Sequence, residues 1–304
     1  MADIKFCYAD VSTFRDWIAG QNFSSTWTTD TSVIRRILES VSRRMDAYVG
    51  GSPPNTFGPT TQTRVYDLGK GSYLRDDPRN VGPLMTIQPE DTVINVIPLG
   101  GWLVSATSVT VYEDTARTAS ATWTEGTSGD YFMGPYNVMG QPYYFLKVNE
   151  DTSKSLYAGQ KTLAVAGTWG WQDTGDTVTT TSGTWTDSAT SLDVTSAADI
   201  SEGSTIKVGT EQLYVTSISS NTLTVQRGVH GTTAASATGG TDVLKITFNP
   251  LVTQTCLDLA HIVYRDRDLG FNDRDENPTE VDTRTALHNL DTFATHSQSS
   301  GVLF

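Results

Sequence analysis

The sequence predicts an α+β protein: a small helical core packed with antiparallel β hairpins, plus an inserted small all-β module. Three observations carry this. The chain holds 47 Thr, 12 Tyr and 26 Gly in 304 residues, a composition that suits pleated surfaces and tight turns rather than a helical bundle. Three stretches, at 10–20, 32–48 and 250–267, instead repeat their apolar residues at helical spacing. Residues 173–247 contain 29 Ser and Thr but only two aromatic residues, Trp185 and Tyr214, so the composition changes in kind there.

In chain order, Asp10-Val11-Ser12 caps a short helix carrying Phe14, Trp17 and Ile18 and closed by Gly20. Asp30, Thr31 or Ser32 caps the second helix, whose stripe is Ile34, Ile37, Leu38, Val41, Met45 and Tyr48. Gly50-Gly51 and Pro53-Pro54 end it. Its other faces carry Arg35, Arg36, Arg43 and Arg44, read either as a solvated face or as a subunit interface, where arginine is enriched. From Thr61 to Gly167 the period becomes two, with strands at 65–68, 93–97, 109–112, 143–146 and 163–165 separated by turns such as Gly69-Lys70-Gly71 and Gly134-Pro135. Short alternating runs at 191–194, 205–208, 212–215 and 222–225 make 173–247 a folded module rather than a disordered linker. Asn249-Pro250 then opens a third helix, in which Val252, Cys256, Leu259, Ala260 and Val263 form a stripe widened by Leu257, Ile262 and Tyr264. A helix apolar on most sides belongs in the core. The domain boundaries expected are therefore 1–172 with 248–270 for the core domain, 173–247 for the module and 271–304 for a polar C-terminal arm ending in an apolar tip.

Several function classes fall away. No apolar run reaches the roughly 18–20 residues needed to span a bilayer, so no membrane partner is expected, and the N-terminus is too polar for a signal-peptide core. Cys7 and Cys256 form no redox or metal spacing, which fits a reducing compartment. A net charge of −13, from 34 acidic against 21 basic residues, opposes tight grip on a phosphate backbone.

Few residues stand at the spacings that catalytic or metal-binding motifs require. His230, His261, His288 and His296 make no zinc motif, and His261, on the apolar helix, reads as a hydrogen-bonded core residue. There is no nucleophile elbow or phosphate-cradling loop, and Gly228-Val229-His230-Gly231 reads as a turn. The acidic run from Asp266 to Asn277 misses the register of a calcium loop, because Gly270 comes one position early and Asn277 stands where a bidentate Glu is required. No catalytic, cofactor-binding or metal residue is assigned: no enzyme and no cofactor is expected.

The order of elements carries more than any single residue. A short helix and an Arg-bearing helix lead into strands with a Pro- and Tyr-rich hairpin, Gly134-Pro135-Tyr136 to Gly140-Gln141-Pro142-Tyr143-Tyr144. A strand then ends in Val165-Ala166-Gly167-Thr168-Trp169-Gly170-Trp171, and the Pro-started helix contains Leu257-Asp258-Leu259-Ala260-His261-Ile262-Val263-Tyr264-Arg265. This resembles the head–tail adaptor (connector) proteins of tailed bacteriophages, in which a strand closing in such a Gly-x-Trp-Gly-Trp turn leads directly into a Pro-started helix. Here residues 173–247 interrupt that step, and their segments 202–209 and 223–233 are similar to a small β module that recurs in phage structural proteins. The resemblance covers roughly 10–50, 61–172 and 249–270.

It implies a virion protein of the head–tail neck, assembled in the bacterial cytoplasm. Its copies would form a cyclic ring, usually of twelve, bound beneath the portal protein and receiving the next neck or tail-completion protein. DNA would pass through the ring without specific binding, which negative channel walls favour. The expected portal-docking residues are Leu290, Phe293, Val302, Leu303 and Phe304, and the expected structural turn is Gly167, Trp169, Gly170 and Trp171. The rival reading is a carbohydrate-binding tail or baseplate module, for which Trp123 and the aromatics from Tyr131 to Tyr144 would stack on sugar rings.

Overall fold

Each helix begins where a short side chain supplies an acceptor for its free N–H groups. The computed structural model describes residues 5–19, 30–50, 55–68, 96–112, 119–136, 142–154, 156, 159–171, 175–268, 285–291 and 293. In it, Asp10 Oδ1 caps α1 (Val11–Ala19) by accepting the Thr13 N–H at 2.9 Å and the Ser12 and Thr13 hydroxyls at 2.8 Å. Asp30 Oδ1 caps α2 (Thr31–Val49) through Val33 N–H at 3.3 Å and Ser32 Oγ at 3.1 Å. Asn249 Oδ1 takes the Leu251 N–H at 2.9 Å, with Pro250 opening α3 (Pro250–Asp268). Caps of this kind contribute about 1 kcal/mol each.

Helix α2 buries Ile34, Ile37, Leu38, Val41 and Met45, but Tyr48 at the end of the expected stripe is 40% exposed. Helix α3 buries Val252, Cys256, Leu257, Leu259, Ala260, Ile262 and Tyr264, leaving Val263 outside. His261 is only half-buried, so it is not the core residue that the apolar helix led us to expect.

The described strands form two antiparallel sheets, and the protein is α+β. The first contains β1 (Thr60–Leu68), β2 (Val96–Tyr112), β3 (Ser120–Trp123), β4 (Tyr131–Gly134), β5 (Tyr143–Val148) and β6 (Gly159–Trp169). Its order is β1-β6-β2-β5-β4, with β3 also on β2. Strand β2 changes partners along its 17 residues: Val96 to Leu103 faces β5, and Leu103 to Val111 faces β6. Its register with β5 shifts between Pro98 and Leu103, at Gly100-Gly101. The core beneath holds Leu99, Leu103, Val109, Leu146, Leu163, Val165 and Trp169.

The second sheet contains β7 (Gly175–Thr180), β8 (Ser191–Asp193), β9 (Thr205–Val208), β10 (Glu211–Ser219), β11 (Thr222–Gln226) and β12 (Asp242–Ile246), in the order β7-β12-β9-β10-β11-β8. Its core is Trp185, Leu192, Ile206, Leu213, Val215, Leu223, Val225 and Val243.

The chain forms two compact units that differ from the grouping expected from composition. One combines Met1–Tyr48 with Thr174–Asp291, and the other combines Val49–Asp173 with Thr292–Phe304. The helices α1 to α3 fall in the unit that contains the second sheet, where the Val11 N–H reaches Glu202 O and Arg35 reaches Thr216 O. Of the expected arm 271–304 only 285–291 and 293 are described: 285–288 are helical, and Leu290, in the first unit, and Phe293, in the second, are buried.

Candidate functional site

Among the described residues, a dense set of polar and titratable side chains surrounds residues 5–10, which bond to α2 and to the second sheet. The Lys5 N–H donates to His230 Nε2 at 3.1 Å, so the neutral ring carries its proton on Nδ1 and donates it to Gln212 Oε1 at 2.9 Å. Burial, followed by the nearby Arg43 charge, holds His230 well below its ordinary pKa. Its ring stacks on Phe6 with centroids 3.6 Å apart and planes 8° from parallel. Cys7 Sγ lies 3.4 Å from the Tyr214 hydroxyl, which donates to Glu39 Oε1 at 2.5 Å. The Tyr8 N–H donates to Ser42 Oγ at 3.0 Å and its hydroxyl to Asp46. One residue into α1, the Val11 N–H reaches Glu202 O at 3.2 Å. This segment ties helix to sheet; the side chains are committed to one another.

That commitment decides the fate of the four arginines of α2. Arg35 donates to Thr216 O, and Arg43 donates to Phe6 O at 3.0 Å and pairs with Asp46 at 2.9 Å. Both are thus engaged inside the unit, while each keeps part of its side chain at the surface. Arg36 and Arg44 are exposed and keep the interface role open.

The turn at the end of β6 is built by close backbone approach. A Cβ on Gly167 would lie 2.1 Å from Ser105 O, and one on Gly170 would lie 2.4 Å from Gly58 O, so only glycine fits either place. Trp169 is fully buried, with its indole N–H donating to Gln62 O at 3.1 Å and its carbonyl accepting the Thr60 hydroxyl at 2.9 Å. Trp171 packs edge-on against Trp102 at 5.1 Å and against Phe293 at 4.6 Å.

Phe293 is therefore a core residue, 4% exposed, and Leu290 is fully buried. Neither is free to dock a portal, which corrects their place in the expected arm: their apolar bodies are spent inside the fold. Val302, Leu303 and Phe304 lie outside the described residues. The aromatics proposed for sugar stacking divide similarly, since Trp123, Tyr131 and Tyr144 are buried and Tyr136 alone among the large ones is exposed, at 55%.

A cleft of about 230 Å³ opens beside residues 7–10 and is bordered by Asp10, Thr13, Thr205, Lys245 and Phe248. Asp10 and Lys245 pair at 2.7 Å across it. Burial alone would raise the Asp10 carboxyl, but the Lys245 ammonium and the capping donors outweigh it and hold the group well below the usual carboxylate range. A depressed folded pKa contributes stability that is complete above the ordinary value of 3.8 and is lost as pH falls below it. Urea midpoints measured from pH 7 to pH 2 should therefore fall more steeply in the wild type than in Asp10→Asn, which is less stable at neutrality. Equal slopes would remove Asp10 from the acid response.

Among the described residues no group of three or more His, Cys, Asp and Glu side chains is placed to hold a metal ion, and no helix is long and apolar enough to cross a membrane. Comparison of the chain with protein-family models, with curated proteins and with solved structures finds no match.

Proposed function

We propose that this protein is a head–tail adaptor of a tailed bacteriophage, a ring-forming structural protein that docks beneath the portal, continues the DNA channel and receives the next neck component. The observation that carries the reading is the order of elements: α1, the arginine-bearing α2, the first sheet, a β6 ending in Gly167-Thr168-Trp169-Gly170-Trp171, and the Pro-started apolar α3. Within it, α1, α2 and α3 are the adaptor's helical core and residues 173–247 an insertion between β6 and α3. The net charge of −13 supports a channel wall that repels phosphates. Arg36 and Arg44, which are exposed on α2, are the subunit-contact residues.

Native mass spectrometry of the protein, alone and with portal-containing neck particles, tests this. The expected result is a closed ring of about a dozen copies, or a portal complex. Arg36→Glu combined with Arg44→Glu should weaken either assembly while leaving the circular dichroism spectrum unchanged. A monomer that ignores the portal would sink the adaptor reading. Docking by the C-terminus is probed by removing 297–304 only, because a cut after Gly270 would also remove buried Leu290 and Phe293.

A further inference from the structure

The described residues contain one buried cation with no anion beside it. Arg64, on β1, is 6% exposed, and its guanidinium lies 4.1 Å over the ring of Trp169. Its only oxygen acceptor among the described residues is Asn55 Oδ1, 3.4 Å from both Nη1 and Nη2, at the long limit of a hydrogen bond. Arg64 Nε is buried and unpaired, and so is Nδ2 of the same Asn55, which is 1% exposed. Trp102 Nε1, on the residue after Gly101, is likewise buried without an acceptor. Gly101 covers the pair with backbone alone, since a Cβ there would lie 1.9 Å from Arg64 Nη1 and 2.7 Å from Asn55 Oδ1.

Other buried charges of the protein are treated differently. Arg227 meets Glu211 at 2.6 Å and three carbonyls, and Lys245 meets Asp10. A cation stripped of water is costly unless an anion and full hydrogen bonding offset the loss. Stacking on an indole returns only part of it. Burial accordingly pulls Arg64 down to about 10 from its ordinary value, with only the phenol of Tyr66 opposing. The groups left without partners are all donors, so the missing partner is an acceptor carrying negative charge.

We infer that Arg64 and Asn55 form a recessed oxyanion site that takes a carboxylate or a small inorganic oxyanion. Arg64 would present its fork to two oxygens of the ligand, and Asn55 would turn its amide N–H toward a third lone pair. The ligand comes either from solution or from an acidic side chain of a second copy of this chain.

Thermal melts of the full chain separate these sources. Formate, acetate, phosphate and sulfate are titrated against chloride at constant ionic strength, and the chloride series is repeated over a hundredfold range of protein concentration. The expected result is a saturable rise in Tm of several degrees, either with an oxyanion at about 100 times its dissociation constant or with protein concentration. Arg64→Met should abolish the rise in both series. Asn55→Asp, which places a carboxylate on the guanidinium permanently, should raise the ligand-free Tm and also abolish the dependence. This second variant keeps the test decisive if Arg64→Met fails to fold. The site is overturned if wild-type Tm is indifferent to oxyanions and to concentration, or if either variant responds as the wild type does.

Discussion

Glu211→Ala should destabilise the unit containing the second sheet by about 3–5 kcal/mol, the loss typical when one partner of a buried ion pair is removed. Glu211 is fully buried on β10 and meets Arg227 in a fork, Oε1 accepting Nε at 3.0 Å and Oε2 accepting Nη2 at 2.6 Å. The same oxygens accept the backbone N–H groups of Gly228 at 3.0 Å and Ala235 at 2.9 Å. Arg227 in turn lies 3.6 Å over the Trp185 ring and donates to Ala189 O at 3.0 Å and Ala235 O at 2.7 Å. The carboxylate thus fixes the loop after β11 to the sheet, and its loss strands both a guanidinium and two peptide donors. Hydrogen exchange reads this by segment: amides of β10, β11 and residues 228–235 should lose protection. The double change Glu211→Ala, Arg227→Met should recover part of the loss, because it removes the unpaired charge. Unchanged protection in Glu211→Ala would show that the loop is held by its turns alone.

Trp169→Ala should cost a similar amount, about 3–5 kcal/mol, from the cavity left by a fully buried indole. The indole is also the face on which Arg64 stacks and the donor to Gln62 O across β1 and β6. Trp169→Phe keeps an aromatic face and loses the N–H, so its penalty should be about 1 kcal/mol larger than that of the volume change alone. Chemical denaturation of both variants measures the difference. If Trp169→Ala matched an exposed substitution such as Thr61→Ala, the turn would owe its shape to glycine and not to packing.

The three helices were legible because cap and stripe agree in each: Asp10, Asp30 and Asn249 stand where acceptors are needed, with apolar residues following at three and four. Strands β8 to β11 were legible for the same reason at period two. β7 was missed because Gly175-Asp176-Thr177-Val178-Thr179-Thr180 carries one apolar residue and stays half-exposed, so it has no buried face to betray it. The buried set Ala286, Leu287, Leu290 and Phe293 has helical spacing but sits among Thr, Asn and Asp, and a polar neighbourhood hid it. Partners were less legible still. Nothing local in Phe6 or Arg35 announces that they meet His230 and Thr216, since such pairing is decided by the register of a sheet two hundred residues away. Arg64 was invisible as a site because a lone arginine in an alternating strand reads as solvent-facing until its burial is known.

The clasp around residues 5–11 has a consequence for synthesis. Lys5 pairs with a residue 225 positions later, and Val11 and Asp10 wait for Glu202 and Lys245. At roughly 5–20 residues per second, those partners leave the ribosome about 10–45 s after the segment they hold. All six strands of the first sheet, by contrast, are complete once Trp169 has been made. The nascent chain therefore carries Phe6 without His230 and Phe14 without Tyr264 throughout the assembly of that sheet. The segment is translated well before the partners that bury it.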